Sequence, residues 1–465
     1  MTLAPSRVLA VDLGATSVRV ASVDLDAPAP GVQIIHRWHH GPRRHADGTL
    51  RWDWGRIVTE IERGLGAAIE ARAAASIGVD GWAVDYGLLD EGGSLLSPPY
   101  SYRDDRTGAW KEVADRIGKE HLYGLTGIQL MPINTIFQVA AHDREELDRA
   151  ARMLLLPDLL VRELTGFEGA EWSNASTTAL IDARTGGWSP KLLEAVELDS
   201  DVMPAIVPAG RAIGSWRGVP VHTVGSHDTA SAFIAVPGVP RSGTAVISSG
   251  TWVLVGTERR EVDTSAQARE ANFSNEGGAL GGVRFLKNVT GLWMLEQCRA
   301  AWGNPTIEEL ATAAAQVTRQ VSLVDATDQR FLAPDDMESE VRRAAGLGAA
   351  ASRAEVVRCI LESIAEGAAR VIEELGVLVG APMGEVLVVG GGARIRFMNE
   401  LYRRRTGLPV SVGSPEATAL GNAVVQGIAL GWFESLYAAR EWLSVGAERL
   451  QGEVGATSAR RGGER

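Results

Sequence analysis

Four aspartates and three runs of small residues hold the chemistry this chain could do. Asp12 closes the apolar run VLAVDLG (8–14) and precedes Gly14-Ala15-Thr16-Ser17. Asp80 and Asp85 lie in VDGWAVDYG (79–87), and Asp228 lies in GSHDTASA (225–232), directly after VPVHTVG (219–225). A carboxylate at a strand end can hold Mg2+, which prefers oxygen ligands and keeps much of its water. It can also take the proton of an attacking hydroxyl. Asp12 suits the first task and Asp228 the second, while Asp80 and Asp85 are placed to face the same cleft. Plainer alternatives stand beside each: an Asx-type turn for Asp12, a helix N-cap for Asp228, a satisfied polar group at a turn for Asp85.

The small-residue runs suit an anion, because backbone N–H groups must come close to a phosphate. Gly14-Ala15-Thr16-Ser17 and Ser249-Gly250-Thr251 each sit between apolar runs, and facing one another they would form a phosphate clamp. As ordinary β-turns they would do nothing. Gly390-Gly391-Gly392 closes EVLVVGGG (385–392) and precedes a helical pattern, so a flat base or a phosphate could lie on bare backbone there; a tight turn before a helix is the alternative. No G-x-x-x-x-G-K-[ST] loop and no complete G-x-G-x-x-G is present, which argues against a P-loop NTPase and a dinucleotide-binding dehydrogenase.

These residues need a scaffold. Apolar β-rich runs (8–14, 18–24, 76–89, 219–225, 244–250, 252–256, 385–392) alternate with helical patterns at 54–75, 109–123, 192–198, 353–379 and 395–406. That alternation predicts an α/β fold in both halves. VLAVDLGATSVRVASVD near the start is echoed by TAVISSGTWVLVGT (244–257), as a duplicated domain with a cleft between the copies would require. The expected division places one domain at 1–236 and a second at 237–450, with the boundary in the Pro- and Gly-rich segment near Ala235–Pro240. A disordered polar tail is expected at 451–465.

The chain has 465 residues, 45% of them apolar, enough to build two cores. The net charge of −12, with scattered basic residues apart from Arg403–Arg405, argues against a nucleic-acid partner. Only Cys298 and Cys359 are present, as suits a reducing compartment. No signal peptide is read at MTLAPSRVLAVDLG and no apolar run is long enough to span a membrane. A cytoplasmic monomer or homodimer is therefore expected. Triplets of glycosylation type at Asn174, Asn272 and Asn288 are read as chance matches.

VDLGATSVRV, SHDTASA, SSGTW, VVGGG and SPEATALGNA together resemble the signature segments of FGGY carbohydrate kinases. YRDDRT (102–107), GIQLMPINTIFQ (127–138), LLLPDLLVRELTG (154–166), EWSNASTTAL (171–180) and NEGGALGGVRFLKNVTGLW (275–293) resemble the rhamnulokinase branch of that family. The match runs in order over roughly residues 7–430. It implies two actin-like ATPase (ribonuclease H-like) domains with the site in the cleft between them. It also implies ATP with Mg2+ as donor and L-rhamnulose, phosphorylated at its 1-hydroxyl, as acceptor. By the same resemblance Asp228 is the catalytic base, with His227, Thr229, Ala83 and Asn288 at the sugar. Ala15, Thr16, Ser17, Val18, Arg19, Thr251, Glu296 and Gly391 match ATP-contacting positions, and Asp12 matches the metal-associated acid.

Three positions depart from the family pattern. Val18 replaces a glycine of the first turn, Ala83 stands where a glycine would touch the sugar, and Glu296 stands where a glutamine is expected near the nucleotide. Ala83 raises the alternative of another acceptor: L-fuculose, L- or D-xylulose, or a linear autoinducer-type polyol. Val18 and Glu296 raise that of a catalytically silent sugar-binding regulator. Because the clamp is divided between the halves, closure of the cleft is expected to complete the site.

Overall fold

The computed structural model describes residues 6–238, 243–332 and 334–445; the tail at 451–465 and part of the boundary segment lie outside them. The first half is built on β1 (Arg7–Leu13), β2 (Ser17–Asp24), β3 (Val32–His39), α1 (Trp54–Ala71), β4 (Ser76–Gly81), β5 (Ala212–Trp216), β6 (Val219–His222) and α2 (Asp228–Ile234). The second is built on β7 (Thr244–Ser249), β8 (Trp252–Arg259), β9 (Ser274–Gly277), β10 (Val283–Thr290), α3 (Trp293–Ala301), α4 (Arg353–Val379), β11 (Glu385–Val389), α5 (Arg396–Thr406), β12 (Val410–Val412) and α6 (Ala417–Ala429).

The two sheets share one plan. The first has the order β3-β2-β1-β4-β6-β5 and the second β9-β10-β8-β7-β11-β12. In each, an antiparallel hairpin (β1–β2, β7–β8) is flanked by a parallel strand (β4, β11). The echo between 8–24 and 244–257 is thus a repeated sheet core. The central strands bury both faces, and RVLAVDL is buried at all seven positions. That is why they read as continuous apolar runs, without alternation. Long α4 starts with a capping box, Ser352 against Glu355, and ends at Gly380 with φ 78°. Its buried Val356, Ile360, Ile364, Val371 and Leu375 anchor the second core.

The elements differ from expectation where long-range contacts decide. The run 76–89 is two strands, because the chain breaks after Gly81 and resumes at Tyr86, with Val84 at φ 71°. The helix expected at 109–123 divides at Gly118, φ 91°, into Trp110–Ile117 and Lys119–Thr126. The helix expected at 192–198 runs from Pro190 to Ala195, with Pro at its first position. Helix α6 was not read at all. Its small residues are required by packing: a Cβ on Gly421 would lie 1.7 Å from the Ser231 carbonyl oxygen of α2. Asn422 Nδ2 on the same helix donates to Asp80 (2.6 Å), and Gln426 Nε2 donates to the Leu9 carbonyl (3.0 Å). So α6 of the second half is seated on the sheet of the first.

Candidate active site

The C-terminal ends of β1, β4, β7 and β11 meet at one cavity between the sheets. From the first half it is lined by Asp12, Ala15, Thr16, Ser17, Arg19, Ala83, His227, Asp228 and Thr229, and from the second by Thr251, Asn288 and Gly391. Two of the expected positions lie elsewhere. Val18 is buried in the core of the first half, facing Leu13 across the hairpin, so its side chain does not replace a phosphate contact. Glu296 lines an adjoining cavity that shares Ala15 and Thr16, and Arg299 pairs with it at 2.6 Å. Its charge is therefore neutralised locally.

The acids divide by environment. The Asp228 side chain is 33% exposed to the cavity, whereas that of Asp12 is 4% exposed. Thr229 Oγ1 donates to Asp228 Oδ1 at 3.1 Å. The loop under Asp228 is fixed by buried Glu171, whose Oε2 accepts from Ser226 N and Oγ, both at 2.9 Å, and from Ser173 N. Burial pushes the Asp12 carboxyl up to about 6; Arg19, 2.9 Å away, opposes this, and nearby Asp228 and Glu416 reinforce it. Asp80 and Asp85 do not line the cavity. Burial, reinforced by Asp12, drives Asp80 well above the usual carboxylate range, against the hydrogen bond from Asn422. Asp85 is fully buried and accepts from Trp52 Nε1 (2.7 Å), Trp82 Nε1 (3.0 Å) and Gln138 Nε2 (3.1 Å). It is a satisfied structural acid that holds the loop carrying Ala83.

Two of the small-residue turns have a steric reason. A Cβ on Gly14 would come within 2.8 Å of the Ser17 carbonyl oxygen, and one on Gly392 within 2.1 Å of Ser249 Oγ. On Gly391 it would meet nothing within 4 Å, so bare backbone there faces open space. Under the first turn, His40 Nε2 donates to the Gly14 carbonyl at 2.9 Å, and burial lowers the imidazole to about 4, which keeps it neutral. Asn288 is less free than its position suggests: its backbone N and its Nδ2 both donate to Gln129 Oε1 (2.9 and 3.0 Å), a bridge between the halves.

Several wall residues were not singled out from the sequence: Trp82, Tyr102, Gln129, Glu276 and Glu416. Glu416 Oε2 accepts from Arg19 at 3.1 Å and its Oε1 from Arg394 at 2.7 Å, joining the two halves beside Asp12. It stands in SPEATALGNA and Glu276 in NEGGALGGV, so both lay in quoted segments but carried no local signal of their own. Among the described residues no group of three or more His, Cys, Asp or Glu forms a metal cage. One carboxylate suffices for Mg2+ when phosphates and water supply the remaining ligands, so Asp12 fits that ion.

Models of the N-terminal and C-terminal domains of the FGGY family of carbohydrate kinases match residues 7–232 and 245–430. The chain belongs to the FGGY family of carbohydrate kinases. It is an ATP-dependent sugar kinase. It is 37% identical to a rhamnulokinase of Bacteroides thetaiotaomicron over 94% of this chain and 93% of that one. It is 35% identical to a rhamnulokinase of Bacillus subtilis over 93% and 92%. The fold is that of a xylulose kinase from Lactobacillus acidophilus (TM-score 0.75, 14% identity, 94% and 92% covered). It is also that of Plasmodium falciparum glycerol kinase with ADP (TM-score 0.73, 16% identity, 98% of each chain). These FGGY folds are the two-domain architecture expected from the duplicated hairpin. No helix among the described residues is long and apolar enough to cross a membrane.

Proposed function

We propose that this FGGY kinase transfers the γ-phosphoryl group of ATP to the 1-hydroxyl of L-rhamnulose, with Asp228 as general base. The observation that carries the acceptor is 35–38% identity to rhamnulokinases over about nine-tenths of both chains. Asp228 takes the hydroxyl proton as the acceptor oxygen bonds to the γ-phosphorus. The bond to the β,γ-bridging oxygen breaks, and ADP leaves with its electron pair. Asp228 supports this role because it is the most exposed of the acids that line the cavity, fixed by Thr229 and by the Glu171-held loop. His227, Thr229, Ala83 and Asn288 line the sugar end. The turns at 14–17 and 249–251 and the bare backbone at Gly391 flank the phosphates. Asp12 would hold Mg2+, which when bound offsets phosphate charge. In this reading residues 1–236 supply the base, the metal-associated acid, the first phosphate turn and most of the sugar site, and residues 237–450 supply the ATP-binding side together with Asn288, in a cytoplasmic enzyme.

The Ala83 methyl lines the cavity beside Trp82 and is the feature that would redirect the acceptor. A single methyl discriminates by about 1–3 kcal/mol. The test is kcat/KM across L-rhamnulose, L-fuculose, L- and D-xylulose and a linear polyol, read as ADP release. L-Rhamnulose should lead by on the order of 100-fold. A different sugar in the lead would overturn the acceptor and leave the kinase standing. Sugar binding with no turnover on any of them would point to a silent sugar-binding regulator.

A further inference from the structure

We infer that Arg284, paired with Glu276, is a positioning residue for Asp228 that acts by fixing the tautomer of His227. The inference rests on the reading of Asp228 as base. Arg284 and Glu276 stand directly opposite one another on β10 and β9 of the second half. The Arg284 side chain is 1% exposed and that of Glu276 is 6% exposed, and the two pair at 3.1 Å. Charges this deep in a protein are costly unless they are paired and used. Here the pair reaches out of its own sheet to the loop that carries the base.

Arg284 Nε donates to the Gly277 carbonyl at 3.0 Å. Nη2 lies 3.4 Å from the Ser173 carbonyl and 3.1 Å from His227 Nδ1. A guanidinium can only donate. His227 Nδ1 must therefore be the acceptor, and the single imidazole proton sits on Nε2. That nitrogen lies 3.5 Å from Asp228 Oδ1, beside the carboxylate but beyond a normal hydrogen-bond length, so its N–H is the group nearest the base on that side. Glu276 Oε2 lies 3.3 Å from the same Nδ1 and would take a proton there if Arg284 were not present. Arg284 thus settles a competition. With it, Nε2 presents a donor to Asp228; without it, Nδ1–H would turn to Glu276, and an Nε2 lone pair would face the carboxylate and displace it.

The pair also explains why Glu276 stays ionised. Burial pushes its carboxyl up, but the Arg284 guanidinium opposes this and the carboxyl lies below its ordinary value. The arrangement ties the base's loop in the first half to a sheet of the second through one imidazole. Nothing in the chemistry of the transfer itself calls for an arginine there.

The test compares wild type, Arg284→Met, the double variant Arg284→Met/Glu276→Gln, and Asp228→Asn. Steady-state kinetics are read together with the His227 tautomer from long-range 15N spectra. Arg284→Met should lower kcat about 10–100-fold, within the range a misplaced general base loses, with the nucleotide KM within about threefold. His227 should become the Nδ1–H form. The double variant places a glutamine amide where it can donate to Nδ1, so it should return to Nε2–H and regain at least about fivefold in kcat. A purely structural arginine predicts neither the tautomer change nor the rescue. An unchanged kcat, an unchanged tautomer in Arg284→Met, or a double variant no better than the single would each overturn the inference. If Arg284→Met does not fold, the double variant decides: Nε2–H supports the inference and Nδ1–H overturns it. Full activity in Asp228→Asn would instead remove the base reading on which it rests.

Discussion

At the rim of the first sheet Asp12 faces Arg19 across the β1–β2 hairpin and lies beside Asp80 on β4. At the matching places of the second sheet stand Ser248, facing Leu254, and Val389 on β11. The backbone plan is the same and the charge is not. At these strand ends the first copy carries the carboxylates, at a visible cost: Asp12 is pushed up to about 6 by burial, with Asp228 among the groups that raise it further. The second copy offers hydroxyls and bare glycine backbone. A polyphosphate carries several negative charges, so a second acid at Ser248 would repel the donor. The comparison teaches that one backbone plan frames both sides of the cleft, and that three strand-end positions give the two sides different charge; in the proposed function this makes one wall reactive and the other receptive.

The largest effect should come from making the first hairpin resemble the second. Asp12→Ser copies Ser248 and removes the acid proposed to hold Mg2+. The kcat/KM for Mg·ATP should fall on the order of 100–1,000-fold, the several kcal/mol that a metal's charge stabilisation supplies. L-Rhamnulose affinity by calorimetry should stay within about threefold. A loss below about threefold in kcat/KM would show that the charge asymmetry is incidental.

The second wall is probed through its glycines. Gly392→Ala places a methyl against Ser249 Oγ and should cost about 1–3 kcal/mol as overpacking, read as a lower Tm. Gly391→Ala meets no atom within 4 Å and should leave Tm nearly unchanged, while the nucleotide KM rises about tenfold, roughly 1.4 kcal/mol. Equal Tm losses for the two would contradict the reading of Gly391 as the open, receptive face.

Asp85 belongs to the charged half as well, and its contribution is to stability. Its folded pKa of about 6 lies above the ordinary value of 3.8, chiefly through burial. The folded state therefore binds that proton more tightly than the unfolded chain. The stabilisation is fully present below about pH 3.8 and is lost as pH rises through about 6, roughly 3 kcal/mol in all. Urea midpoints of wild type and Asp85→Asn should differ in their pH dependence across this window. Parallel curves would contradict the assignment. The smallest effect is expected at Glu296→Gln: since Arg299 already neutralises the carboxylate, the nucleotide KM should change by less than about threefold, the size of an exposed ion pair.

Much of the architecture was legible because it is local. The hairpin echo is two short stretches of apolar residues with small-residue turns, and it marks both sheet cores. What escaped depends on partners far along the chain. The strand at Val32–His39 has no fully buried residue, and its partly buried Val32, Ile34, Ile35 and Trp38 are split between two cores, so no continuous apolar run reveals it. Helix α6 looks like an Ala- and Gly-rich loop until Ser231 is placed against Gly421. The break at Trp82–Asp85 exists because two indoles and Gln138 satisfy a buried acid. Asp85 itself reads as a cleft carboxylate as easily as a structural one. The Glu276–Arg284 pair and the Gln129–Asn288 bridge join segments that carry no shared period. Local pattern therefore marked the turns and Asp12 and Asp228 at the cavity, missed wall residues such as Trp82 and Glu416, and could not tell buried structural acids such as Asp80 and Asp85 from those that face the cavity.

The most direct test of the account is ADP release from Mg·ATP and L-rhamnulose by wild type and Asp228→Asn, with L-rhamnulose binding measured on both. The account predicts strong wild-type turnover, a fall in kcat on the order of 100–10,000-fold in the variant, and sugar affinity within about threefold. Turnover retained in Asp228→Asn, with the sugar still bound, would contradict the assignment of the reactive wall.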